Sequence, residues 1–131
     1  MKQRFYFNKE ERLISRKAID ALFRERNFSV FQHPLKMSWL VYDHPSPSPV
    51  QLLISVPKRR FKKASSRNRI KRLLREVYRK NKPVLYEFLN SKDTRIIISI
   101  AYVGEKELSL QEVERIFLSI VEKFKAAYTA A

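Results

Sequence analysis

Residues 66–83 read SRNRIKRLLREVYRKNKP, and this stretch decides the architecture. Ile70, Leu73, Leu74, Val77 and Tyr78 stand at i, i+3, i+4, i+7 and i+8, one continuous apolar stripe of a 3.6-residue helix. The spacing predicts a helix from Ser66 to Lys82, with Pro83 just past its end, where proline commonly falls. At 100° per residue Asn68, Lys71, Arg72, Arg75 and Arg79 lie on the face turned away from that stripe, and Arg67 and Arg69 lie at the first turn. A helix with one apolar face must cover another element, so a partner layer is required.

On both sides of this helix the pattern changes to strand. Val50 to Val56 (VQLLISV) and Leu35 to Tyr42 (LKMSWLVY) alternate in part and are rich in strand formers. Phe28 to Gln32 reads as a short strand before them. Arg95 to Tyr102 (RIIISIAY) is a nearly continuous β-branched run, as expected of a strand covered on both faces. The segment His44-Pro45-Ser46-Pro47-Ser48-Pro49 is a loop between two strands. Ser15 is the expected N-cap of a first helix that carries Ile19, Leu22 and Phe23 on one face; Asn8 with Glu11 is a second possible capping pair. A third helix should run from about Leu110 to Ala127, started by the Ser109-x-x-Glu112 capping box and buried along Leu110, Val113, Phe117, Ile120, Val121 and Phe124. The order α-β-β-β-α-β-α is that of a two-layer α/β sandwich, one small mixed sheet with three helices. A single domain over residues 1–131 is expected, with flexible ends at 1–7 and 128–131.

Charge narrows the function. The 131-residue chain carries a formal net charge of +15. Residues 57–82 hold 13 of the 28 Lys and Arg and one acid, Glu76, so the excess is concentrated in one loop and the helix after it. An ordinary solvated helix face mixes signs and gains i,i+4 pairs, whereas like-charge neighbours each cost a few tenths of a kcal/mol. Basic side chains at a helix amino end also oppose the macrodipole. A polyanion laid on the ridge removes both conflicts.

Other classes lack their residues. There are no cysteines, hence no disulfide, zinc–thiolate site or thiol nucleophile. The single glycine, Gly104, rules out glycine-rich phosphate loops. A stand-alone nuclease needs a base, an acid and usually a carboxylate metal cluster. His33 and His44 sit near prolines without companions, Asp20, Asp43 and Asp93 are isolated, and the acids as a group read as surface charge. The amino terminus has no long apolar core, so no signal peptide is expected, and the longest apolar run, Ile96 to Val103, is too short to span a bilayer. A membrane-surface role is disfavoured because the apolar face of the basic helix is needed by the sheet.

The run Arg67-Asn68-Arg69-Ile70-Lys71-Arg72-Leu73-Leu74-Arg75-Glu76 resembles the RNR signature helix of the bacterial ribonuclease P protein component. Val56-Pro57-Lys58-Arg59-Arg60-Phe61-Lys62-Lys63-Ala64 resembles that family's approach to the helix, and Arg12-Leu13 followed by Leu22-Phe23 resembles its amino-terminal pattern. Ile19 departs from a common aromatic, Arg26 or Asn27 from a common glycine, and Ser65 from a common valine. The resemblance implies a left-handed β-α-β crossover at the RNR helix, an exception to the usual rule. It implies a large catalytic RNA as partner, which hydrolyses the 5′ leader from precursor tRNA with Mg²⁺ held mainly by RNA and substrate. The protein would bind leader and RNA and promote metal binding, without being the catalyst, in the cytoplasm. Carried over residue by residue, Lys58, Arg59, Arg67, Asn68, Arg69, Lys71, Arg72, Arg75 and Arg79 are the expected RNA-binding residues. Arg12 and Phe23 are candidates for the leader cleft, Phe23 being equally readable as plain core. A ribosomal-type RNA-binding protein with no role in cleavage is the alternative, and a major-groove DNA binder a further one.

Overall fold

A short 3₁₀ turn (Lys9–Glu11) leads into α1 (Arg16–Arg24), β1 (Phe28–Gln32), β2 (Leu35–Val41), β3 (Val50–Ser55), α2 (Ala64–Ser91), β4 (Ile96–Tyr102) and α3 (Leu110–Ala130). These elements belong to a computed structural model that describes residues 9–24 and 28–130. Asn8, Arg26 and Asn27, each singled out above, lie outside the described residues. The element order is the expected one, and two helix starts form as read. The Ser15 hydroxyl accepts the Ala18 N–H at 3.2 Å. Ser109 and Glu112 close their box from both sides, the Glu112 N–H on Ser109 Oγ at 3.2 Å and the Ser109 N–H on Glu112 Oε1 at 3.3 Å.

The four strands lie in the order β1-β2-β4-β3. β1, β2 and β4 pair antiparallel, whereas β3 and β4 pair in parallel across the α2 crossover. The Pro-rich 44–49 loop therefore joins two strands that flank β4, not a hairpin. β4 takes the centre because it is apolar on both sides: residues Ile96 to Ile100 are all buried. On one face Leu35, Met37, Trp39, Val50, Leu52, Ile98, Ile100 and Tyr102 pack under α2 and α3. Trp39 centres this core, stacked on Phe28 at 5.5 Å and edge-on to Phe124 at 4.8 Å. On the other face Ile97 packs against Leu13, Ala18 and Leu22, which brings α1 over one end of the sheet.

Helix α2 is longer than its sequence reading. It does not stop at Lys82 but runs to Ser91, with Pro83 inside it. An interior proline forfeits one backbone bond and costs about 3 kcal/mol. Leu85 and Leu89 continue the apolar stripe and are fully buried, and each such burial contributes about 1.5–3 kcal/mol. Packing beyond the proline outweighs the break. Helix α3 likewise continues to Ala130. Tyr128 hydrogen-bonds Thr94 at 2.6 Å and packs on Phe88 at 5.6 Å, so residues 128–130 are part of the helix and not the loose end expected.

A second correction concerns the acids. Glu11 is 3% exposed and no surface charge. Its two carboxylate oxygens each accept from Lys82 Nζ at 2.8 Å, and the Tyr86 hydroxyl donates to the same group. Tyr78 donates to Tyr86 at 3.1 Å. Lys82 thus leaves the cationic face and turns inward. This network pins the amino-terminal segment to mid-α2. The Leu13 N–H donates to the Leu52 carbonyl at 2.9 Å and Arg12 bridges Leu52 in parallel, which covers the β3 edge. Among the described residues no helix is long and apolar enough to cross a membrane.

Candidate nucleic-acid interface

The loop before α2 is built around one buried ring. Phe61 packs on Tyr102 at 5.9 Å, and the Pro57 carbonyl accepts the Arg60 and Phe61 N–H groups at 3.1 and 3.4 Å. This turn holds Lys58 and Arg59 exposed. The first residue of the RNR run behaves differently from its expectation. Arg67 does not point outward; it is half-buried, and its Nη1 donates to the Phe61 and Lys62 carbonyls at 2.8 and 2.9 Å. Those carbonyls lack helical partners, so a cation one turn into the helix is drawn back to them. Arg67 thereby ties the loop to α2.

Asn68, Arg72 and Arg75 are exposed on the outward face as the periodicity predicts, and Lys71 is half-buried on its flank. Two other guanidinium groups among the expected RNA-binding residues rest on acids. Arg69 forks onto Glu107, Nε to Oε1 and Nη2 to Oε2 both at 3.0 Å. Arg79 forks onto Glu76 at 3.1 and 2.6 Å. The hydrogen bonds from Arg69 and Arg79 hold the Glu107 and Glu76 carboxyls below the ordinary carboxylate range. Both pairs lie at or near the surface and are therefore screened by solvent. The cationic ridge thus interleaves open groups with groups paired to acids. The N-cap residue of α2, Lys63, makes no side-chain cap hydrogen bond.

The ridge continues onto the amino-terminal segment. Arg12 and Arg75 line one shallow hollow with Leu13, Ile14, Leu53 and Ile54, so two candidates 63 positions apart in the chain meet. Phe23 is 59% exposed on α1 and is not a core residue. Beyond α1 the same sheet face carries two rows set by strand register. Ser29, Ser38, Ser99 and Leu53 form the first; Phe31, Lys36, Ala101 and Ser55 form the second. Apart from Leu53, the middle of this floor is made of small side chains, and Phe31 and Lys36 are exposed at its β1 end. The second row ends at Ser55, where β3 feeds the 57–63 loop. Sequence reasoning missed Phe31 and Lys36. Alternation along β1 and β2 was the available signal, but only the pairing shows that the two residues share the α1 side.

The family model described as Ribonuclease P matches residues 7–125. The chain belongs to the ribonuclease P protein family. It is 34% identical over 111 residues to the ribonuclease P protein component of Porphyromonas gingivalis, covering 85% of this chain and 80% of that one. It is 35% identical over 121 residues to the component of Dictyoglomus thermophilum, covering 91% and 92%. In three dimensions it is similar to the ribonuclease P protein of Thermotoga maritima, with a TM-score of 0.68 at 21% identity over 86% of this chain and 96% of that chain. The Staphylococcus aureus ribonuclease P protein gives a TM-score of 0.64 at 17% identity over 88% and 95%. The ribonuclease P match spans both Arg12 and the whole ridge. Among the described residues no three His, Asp or Glu side chains converge as metal ligands.

Proposed function

We propose that this chain is the protein subunit of the ribonuclease P ribonucleoprotein and assists a catalytic RNA in removing the 5′ leader of precursor tRNA. The observation that carries this reading is the ridge of Lys58, Arg59, Asn68, Arg72 and Arg75, extended by Arg12 at the β3 edge and by Arg69 and Arg79, each paired to an acid. Phosphate contacts of this kind give affinity with little sequence information, which suits a subunit that must accept many leaders. Arg adds two-pronged phosphate bonds that Lys lacks. Asn68 is placed to bond a 2′-hydroxyl or a base edge. The leader would cross the serine-floored sheet face beside α1, with Phe23 as an aromatic wall on which an unpaired base stacks for about 1–3 kcal/mol.

No proton transfer or bond cleavage is assigned to the protein. Mg²⁺ would sit on phosphates of the catalytic RNA and substrate, and the protein would favour it by holding those phosphates in place. The ridge itself repels cations, so its contribution is to RNA geometry.

Reconstitution tests this. The chain is combined with a bacterial ribonuclease P RNA and leader-bearing precursor tRNA at low magnesium. Leader removal should rise well above the RNA-alone rate, and the protein alone should not cut. If about six phosphates are neutralised, log K should fall with log[salt] by roughly four to five per decade. No gain in leader removal, with RNA binding intact, would favour a ribosomal-type binding protein. Specific 5′ cleavage by RNA-free protein would make the chain a nuclease. Equal competition by duplex DNA would remove the preference for RNA.

A further inference from the structure

Between one flank of α2 and the start of α3 lies a crevice of about 440 Å³ lined on its apolar side by Ile70, Leu73, Leu108 and Leu110. Its position is unexpected, because it opens in the most cationic part of the chain. Ile70 is buried, whereas the three leucines are half-exposed. Leu73 sits at the margin of the α2 stripe, Leu110 opens α3, and Leu108 lies in the connection just before the Ser109 cap.

The rim supplies the chemistry. Arg69 and Arg72 stand one turn apart on the same side of α2 and border the opening. Glu107 closes one side by holding the Arg69 fork with two 3.0 Å bonds. Glu76, held by Arg79, borders the other. An apolar slot bordered by two arginines, each reachable from the open cationic face of α2, with Glu107 and Glu76 at its sides, matches the alternation of a nucleotide strand, a flat apolar base hung from a charged phosphate. A bare phosphate would leave the leucines unused.

We propose that this crevice takes an unpaired nucleobase of an RNA strand whose phosphates lie on Arg69 and Arg72. The proposal rests on the RNA-binding reading above and assigns one strand contact to the helix side of the molecule, away from the sheet face. Base pockets of apolar side chains are a general solution for extruded nucleotides. The Arg69–Glu107 fork keeps the guanidinium at the mouth before RNA arrives, so its orientation need not be found on binding.

The test compares a ten-residue oligoribocytidine with an abasic ribose-phosphate decamer of equal charge. Methyl resonances of Leu73, Leu108 and Leu110 in the unaltered protein should shift by ring current with the intact strand and stay with the abasic one. In anisotropy titrations Leu108→Phe, which fills the slot, should weaken the intact strand about five-fold, the low end for a base contact. It should leave the abasic strand unchanged, and Leu108→Met should bind like the original. Intact-strand binding with unmoved leucine methyls overturns the slot and leaves the RNA reading standing. Equal methyl shifts with both strands overturn it too, since charge alone would then explain them. Failure of both strands to bind overturns the slot together with the RNA reading.

Discussion

Arg67→Ala and the double change Arg72→Ala with Arg75→Ala should fail in opposite ways. Arg67 spends its Nη1 on the Phe61 and Lys62 carbonyls at 2.8 and 2.9 Å. A hydrogen bond to a charged group contributes about 1.5–3 kcal/mol when well shielded. Here the side chain is only half-buried, so solvent reduces the pair to about 1–2 kcal/mol together. For a domain of this size that is a fall in Tm of roughly 4–8 °C. Arg72 and Arg75 are exposed, so their removal should change stability by no more than about 0.5 kcal/mol. Their effect belongs to binding. Two lost phosphate contacts flatten the salt slope by about 1.4 with a single strand. Thermal unfolding followed by the buried Trp39 and RNA titrations across a salt series read the two effects separately. The reasoning fails if Arg67→Ala melts with the original protein while losing the same salt slope as a single ridge arginine. That result would make Arg67 the outward phosphate ligand its position in the RNR run suggests.

Three further outcomes follow from the interior. Glu11→Gln should lower the unfolding free energy by about 3–5 kcal/mol, since it leaves the Lys82 ammonium buried without its counter-charge; urea titration checks this, and a loss below about 1 kcal/mol would mean that water reaches the pair. His44 is buried and donates through Nε2–H to the Pro49 carbonyl at 3.2 Å, and burial holds its pKa below the ordinary 6.5. The folded state therefore takes a proton less readily than the unfolded one, so its contribution is fully present above pH about 6.5 and is lost progressively below it; a His44→Gln variant should show a flatter stability profile across that range, and an unchanged profile would count against it. Gly104→Ala would put a Cβ 2.7 Å from Pro34 Cβ, and a calorimetric scan should show a loss of about 1–3 kcal/mol, no change indicating that the turn yields freely.

The strands, the three helices and the cationic face were legible because each is a local pattern. Period-two alternation, a 3.6-residue stripe and capping pairs depend on neighbours within a few positions, and the Ser15 and Ser109 caps formed where their side chains dictated. The misreadings share a cause in contacts between distant segments. Pro83 is a sound local stop signal that burial of Leu85 and Leu89 overrode. Glu11 looks like any surface acid until Lys82 and Tyr86, 71 and 75 positions away, close around it.

Sequence alone therefore determined the element order, the two-layer class and the placement of the charge excess in the 57–82 segment, because periodicity and composition are properties of the chain before it folds. Tertiary structure alone decided which cations remain available. It turned Arg67 inward to orphan carbonyls, set Arg69 on Glu107 from a remote loop, drew Lys82 into the interior and brought Arg12 beside Arg75. The physical reason is that a side chain's direction follows from helical phase, but its partner follows from what the rest of the chain packs against that face.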